Sequence, residues 1–314
     1  MQDGRPDLKA GLRYISLLRN KCPVNGQWAR TDPDSGTPFT TCPATDVSDV
    51  DGCVESSQAA FEISREMHPR QRAKRLLTWH HHFEENKRDI AKIVVCESGK
   101  PLAEAIVGEA EGIRASVVQL YVSNCRVLTP LSIITLVELA QRAALADGVL
   151  NVLTTDLRDA LYVLEKITLV LSSNYPFLVF GDGDSITALD VLMVFRWRPA
   201  DQVCRQANGT YVQNGVLEKL EEMLLYAVSK IRVGHGSQSG TTMGRRVFKT
   251  GGRPPPALPK GNFFESTVIS VITSDILAFK EEIFGPLLCF YCFKTEDEAV
   301  NNANATSMDR ASYF

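Results

Sequence analysis

Between residues 176 and 213 the chain reads as strand, turn, helix, polar loop and strand. Residues 176–180 form a short apolar run. Gly181-Asp182-Gly183-Asp184 is a turn, and residues 185–195 are helix-like. Then comes Asp201-Gln202-Val203-Cys204-Arg205-Gln206-Ala207-Asn208, a polar loop with one cysteine, and the strand-like Tyr211-Val212-Gln213. A thiol on a loop between regular elements can be exposed and aimed, as a nucleophile must be, and Arg205 favours the reactive thiolate. The alternative is a small buried hydrophobe, the commonest fate of a free cysteine. The Gly-x-Gly turn superficially suggests a nucleotide loop. It lacks a third glycine and a ribose-binding acid in a second unit, so Asp184 as a helix N-cap is the better reading.

At 314 residues the chain exceeds the roughly 250–300 that one core usually serves, so two domains are expected. A net charge of -3 argues against a nucleic-acid or membrane-surface partner. No apolar run approaches the roughly 18 residues of a membrane span, and no apolar signal core follows the start. The eight cysteines show neither disulfide-framework nor metal-ligand spacing, as in a reducing compartment. The sequons at Asn208 and Asn304 then carry no glycosylation. Residues 8–21 are basic and amphipathic, as in a transit signal, but Asp3 and Asp7 oppose that, so a cytoplasmic location is favoured over a mitochondrial one.

Residues 22–41 read as short strands and turns, with Asn25-Gly26 as a hairpin signal. Helices are expected over 47–61, with Asp46 or Ser48 as N-cap, over 69–86 with Ala73, Leu76, Leu77, His80 and Phe83 on one face, and over 88–98. Gly99 stops the last of these, and a fourth helix starts at Pro101. Adjacent helical residues point about 100° apart, so His80-His81-His82 cannot converge on one metal ion, and no metal site is assigned. A helix from Thr129 to about Ala146 precedes a buried strand over 148–153. Two further strands are read at 168–171 and 176–180. An amphipathic helix over 216–230 carries Leu217, Leu220, Leu224 and Val228 on one face. Arg253-Pro254-Pro255-Pro256-Ala257-Leu258-Pro259 fits a polyproline ligand pattern, though short proline loops are common.

The cysteine loop resembles the G-Q-x-C nucleophile loop of the aldehyde dehydrogenase superfamily, with Asp201 in place of the glycine. Glu97-Ser98-Gly99-Lys100-Pro101-Leu102-Ala103-Glu104-Ala105 is similar to the E-S-G-K-P-x-x-E-A signature, read as a structural turn without chemistry. Thr129-Pro130-Leu131-Ser132 through Gly148-Val149-Leu150-Asn151-Val152 resembles the T-P-L-S … G-V-x-N-V unit. Glu281-Glu282-Ile283-Phe284-Gly285-Pro286 resembles E-E-x-F-G-P. The flavour is closest to succinate-semialdehyde dehydrogenases. The resemblance implies an α/β fold with a Rossmann-like cofactor domain over 1–168 and an α/β catalytic domain over 169–314, both incomplete. It implies Cys204 as the nucleophile that forms a thiohemiacetal with an aldehyde, NAD or NADP as hydride acceptor, and Glu282 and Phe284 as its nicotinamide ribose and ring contacts.

The chain also departs from the pattern. Segments are missing between Val127 and Leu128, between Leu153 and Ile167, and after Met243-Gly244. With them go the family's oxyanion asparagine, its adenosine-ribose lysine and glutamate, and its pyrophosphate helix. The chain ends at Ser312-Tyr313-Phe314, inside the family's catalytic domain. Val170 stands where the family's L-E-L-G-G motif has its general base, a term worth typically 100- to 10,000-fold. The expected protein is therefore an aldehyde dehydrogenase relative with impaired or lost catalysis, acting if active on a small-molecule aldehyde. The alternatives are a pseudoenzyme serving as a binding or assembly partner, for instance of an intact relative, a thiol-based acyl hydrolase, and an aggregation-prone product of a decayed gene.

Overall fold

The structure, a computed structural model, describes residues 12–17, 26–31, 38–44, 48–107, 122–126, 130–155, 175–197, 206–243, 263–270, 272, 276–305 and 312–314. The chain divides into two compact units, residues 1–167 and 168–314. No described helix is long and apolar enough to cross a membrane.

In the first unit, β1 (Gly26–Thr31) and β2 (Pro38–Ala44) pair antiparallel. Gly26 sits in β1 opposite Ala44, so Asn25-Gly26 is not the hairpin turn; the connection runs through 32–37, outside the described residues. Helix α1 (Ser48–Glu66) is longer than the sequence suggests. Helix α2 (Pro69–Ser98) is continuous where two helices were expected. Asn86 does not break it, because its Nδ2 donates to His82 O at 2.6 Å, within the same helix. The expected apolar face is corrected too. Leu77 is 55% exposed, and the buried stripe starts at Phe83 and continues through Ile90, Ile93 and Val94. Gly99 ends α2 at φ 71°, donating its N–H to Val95 O, as its position in the sequence suggests.

Helix α3 (Pro130–Arg142) packs on α2. Its first residue is a proline, which has no N–H to leave orphaned. The next two N–H groups are capped from a distance: Leu131 and Ser132 donate to the Glu97 carboxylate at 2.6 and 3.0 Å. The Glu97 stretch is thus joined to the Thr-Pro-Leu-Ser stretch by a buried non-local cap. Strands β3 (Val122–Arg126) and β4 (Asn151–Thr155) pair in parallel. Gly148 turns the chain into β4 at φ +90°, where a Cβ would stand 2.4 Å from Ser56 O. Asn151 then ties β4 to α1, donating to Ser57 Oγ at 2.8 Å.

The second unit is a four-stranded parallel sheet in the order β5-β6-β8-β7, formed by β5 (Tyr175–Val179), β6 (Ala207–Gln213), β7 (Thr267–Ile269) and β8 (Leu287–Phe293). Helices α4 (Ser185–Leu192), α5 (Leu217–Ser229), α6 (Leu277–Lys280) and α7 (Glu296–Asn304) separate or follow the strands. β8 is apolar almost throughout because both faces are covered. Leu288 and Phe290 join one core with Val212, Leu217, Leu220 and Leu224. Cys289, Tyr291 and Phe293 join the other with Tyr211 and Ile283. The three buried leucines of α5 follow the expected face, each worth about 1.5–3 kcal/mol of burial. Helix α4 stops at Leu192 and opens into a wide five-residue turn, Met193–Trp197, which delivers Arg196 to the start of β6.

Candidate functional site

All neighbouring strands of the second unit run the same way, so the starts of β6 and β8 lie at the same, amino-terminal edge of the sheet. In the chain Cys204 precedes the first of these starts, and Glu282 and Phe284 precede the second. Cys204 lies outside the described residues, as do Val170, the strand expected at 168–171 and the proline stretch 253–259. Gln206, two residues further along the chain, is described and buried.

The two segments are bonded to each other. Gln206 Nε2 donates to Ile283 O at 2.6 Å, and Ile283 N donates to Asn208 Oδ1 at 3.0 Å. Longer contacts of 3.5 Å run from Asn208 Nδ2 to Glu281 O and from Arg196 Nη1 to Asn208 Oδ1. Arg196 is fully buried and also donates to Ala207 O at 3.0 Å. Residues 281–283 are thus held at both ends, and between those bonds stands Glu282, half-buried. Phe284 follows, 42% exposed. A carboxylate can accept hydrogen bonds from vicinal hydroxyls, and an exposed ring can face a planar heterocycle. Helix α6 ends at Lys280, so Glu282 and Phe284 stand outside any helix or strand.

Arg196, Gln206 and Asn208 were not singled out from the sequence, although signals exist. Arg196 interrupts an otherwise apolar helical run, and Gln206 and Asn208 are polar at alternate positions where a buried strand begins. Around them the environment is apolar. Burial pushes the Cys289 thiol up, with Arg196 pulling it the other way. Burial also pushes the Tyr211 phenol up to about 12 and that of Tyr291, stacked on it at 4.8 Å, higher still.

A cavity of about 610 Å³ opens at the opposite, carboxyl end of β5, lined by Phe180, Asp184, Val191, Tyr313 and Phe314 among others. Open parallel sheets commonly bind ligands at that end. Of the two aspartates in its lining, Asp182 and Asp184, the second is already committed. Asp184 caps α4, accepting from Ile186 N, Thr187 N and Thr187 Oγ1, and these bonds hold its carboxyl below the usual range. This is the cap read from the sequence. In the first unit, His80 and His81 stand 6.1 Å apart with tilted rings, and His82 faces Glu85 at 3.5 Å. Among the described residues no group of His, Cys, Asp or Glu side chains is placed to hold a metal ion.

These features coincide with matches to known proteins. The model of the aldehyde dehydrogenase family matches residues 23–126, 158–249 and 244–314. The chain belongs to that family. The 3-sulfolactaldehyde dehydrogenase of Pseudomonas putida is 27% identical, covering 96% of this chain and 86% of its own length. The NADP(+) succinate-semialdehyde dehydrogenase of Escherichia coli is 25% identical over the same shares. A crystal structure of an aldehyde dehydrogenase from Brucella melitensis biovar abortus superposes with a TM-score of 0.87 at 26% identity, covering 97% of this chain and 86% of that one. Both sequence alignments run over 416 positions against a chain of 314 residues, so the relatives carry internal stretches with no counterpart here. The family match skips residues 127–157 and splits again at 244–249, close to the departures read after Val127, after Leu153 and after Met243-Gly244. Membership supports NAD(P)+-dependent oxidation of an aldehyde as the class of reaction.

Proposed function

We propose that the amino-terminal edge of the second unit is an aldehyde dehydrogenase site that keeps its thiol and nicotinamide segments, with acylation slowed and deacylation largely lost. The observation that supports this best is the bonding of Gln206 and Asn208 to residues 281–283, which couples the flank of the cysteine loop to the Glu282–Phe284 segment. In this reading Cys204 attacks a small cytosolic aldehyde carrying an anionic group, the kind named in the relatives. When bound, NAD(P)+ supplies the hydride acceptor that turns the thiohemiacetal into a thioester. Glu282 would hold the ribose hydroxyls, and Phe284 would face the nicotinamide ring. Val170 offers no base to activate water, so the thioester persists and turnover falls by roughly 100- to 10,000-fold.

The test is to mix the protein with succinate semialdehyde and NAD+ or NADP+. The expected result is a single burst of reduced cofactor, slow turnover afterwards, and an acyl adduct in the intact mass that Cys204→Ala removes. Fast steady turnover refutes the impairment, and absence of both burst and adduct refutes the chemistry.

A second reading, an assembly partner without turnover, is favoured by α1. Of its side chains described, only Ala60 is buried, while Val54, Phe61 and Ile63 are each at least half exposed. Co-purification from the native source as a lone monomer counts against it.

A further inference from the structure

We propose that Asn208 is a positioning residue that sets the phase of the Glu282–Phe284 segment, and that Glu282 meets the nicotinamide ribose only while the Asn208 amide is in place. The inference rests on the cofactor reading above. In a parallel sheet, a residue opposite a given position donates to the carbonyl before it and accepts from the N–H after it. The Asn208 side chain does the same about Glu282, with its Oδ1 on Ile283 N at 3.0 Å and its Nδ2 toward Glu281 O at 3.5 Å. A side-chain amide thus replaces a strand neighbour at the one residue whose carboxylate is needed.

The amide can stand only one way round. Arg196 has donors alone, and Ile283 N is a donor, so the atom facing both must be the oxygen. The nitrogen is left to face the Glu281 carbonyl. Gln206 reinforces the grip from the same strand start at 2.6 Å on Ile283 O. Residues 281–283 therefore follow the start of β6, and the start of β6 follows Cys204 in the chain. The arrangement links the placement of the cofactor carboxylate to the strand that leaves the nucleophile loop.

The probe is reduced NAD, titrated by its fluorescence onto the full chain and onto Asn208→Ala, Asn208→Asp, Glu282→Gln and the Asn208→Ala/Glu282→Gln double variant. Reduced NADP is titrated in parallel to allow for either cofactor. Asn208→Ala is expected to weaken binding about tenfold, as does Glu282→Gln, and the double variant to bind no worse than Glu282→Gln alone. Asn208→Asp keeps the acceptor for Ile283 N and loses the donor, so it falls between wild type and alanine. A residue that merely supports the fold gives effects that add in the double variant, and that result overturns the inference while leaving the cofactor reading intact. Wild-type affinity in Asn208→Ala overturns it as well. If the wild-type chain binds neither dinucleotide, the cofactor reading itself fails and takes this inference with it. Should Asn208→Ala not fold, the Gln206→Ala and Glu282→Gln pair gives the same cycle through the second anchor, and additivity there overturns the proposal equally.

Discussion

Removing the Glu97 carboxylate should destabilise the first unit more than any surface change. Glu97 is 5% exposed and accepts from Leu131 N at 2.6 Å and Ser132 N at 3.0 Å. Both donors belong to the first turn of α3, where intrahelical acceptors do not exist. Hydrogen bonds to a charged group contribute about 1.5–3 kcal/mol each, and the helix dipole adds up to about 1. Water entering the vacated space re-satisfies part of this, since Ser132 is only half-buried while Leu131 is 2% exposed. Glu97→Ala should therefore cost about 2–4 kcal/mol. Glu97→Gln keeps the volume and one acceptor and should cost about half as much. The assay is thermal and urea unfolding of the full chain, with amide hydrogen exchange at Leu131 and Ser132. At about 2–4 °C per kcal/mol for a unit of this size, the alanine variant should melt roughly 4–16 °C lower. Exchange at those two amides should rise before exchange in β6 or β8 does. A melting point within about 1 °C of wild type, with unchanged exchange, would refute the capping argument.

Three further outcomes follow from local geometry. Gly148→Ala places a Cβ 2.4 Å from Ser56 O on a backbone at φ +90°, and should cost more than about 1 kcal/mol in urea unfolding, whereas an ordinary Gly→Ala change stabilises. Asp184→Ala removes the cap of α4 and should cost about 1 kcal/mol, and wild-type stability would show the cap to be idle. Tyr211 is held protonated by burial up to about 12, against about 10 when unfolded. Its contribution is complete below pH 10 and is lost as pH rises from about 10 to 12, on the order of 2–3 kcal/mol. Tyr291 is shifted in the same direction and steepens the loss. Urea midpoints that stay flat between pH 9 and 11.5, or a Tyr211→Phe variant with an unchanged slope, would contradict this.

Features set by a few neighbouring residues were readable in the sequence. Gly99 closes α2, Asp184 caps α4, and the leucine spacing marks the buried face of α5, because each depends on residues within a turn or two. Features set by distant partners were not. The break expected near Asn86 vanished because that side chain bonds back to His82 O instead of leaving the helix. The face expected at Ala73 and Leu77 is exposed because only the second half of α2 is strongly buried. Glu97 was read as part of a turn without chemistry. Its role is a cap on residues more than thirty positions away, which no local pattern announces. The site divides in the same way. Glu282 and Phe284 stood out through a motif, while Arg196, Gln206 and Asn208 act through bonds to segments invisible from their own surroundings.

The placement of the gaps explains how a site can survive them. Every strand pair of the β5-β6-β8-β7 sheet is formed by residues after 168. The gaps after Val127 and between Leu153 and Ile167 fall in the first unit, ahead of every strand of that ladder. The break at 244–249 falls between α5 and β7, and β7 is a three-residue strand at the margin of the sheet. A deletion there is absorbed at an edge, where pairing is shortest, and the central β6–β8 pair keeps its register. The anchoring of residues 281–283 comes from Gln206 and Asn208 at the start of β6, with Arg196 beside them. The thiol-loop flank and the Glu282 segment can thus keep their mutual geometry although the chain has lost stretches its relatives possess. Loss of function, where it occurs, then falls on the steps those stretches and Val170 would have served, and not on the joining of the two segments.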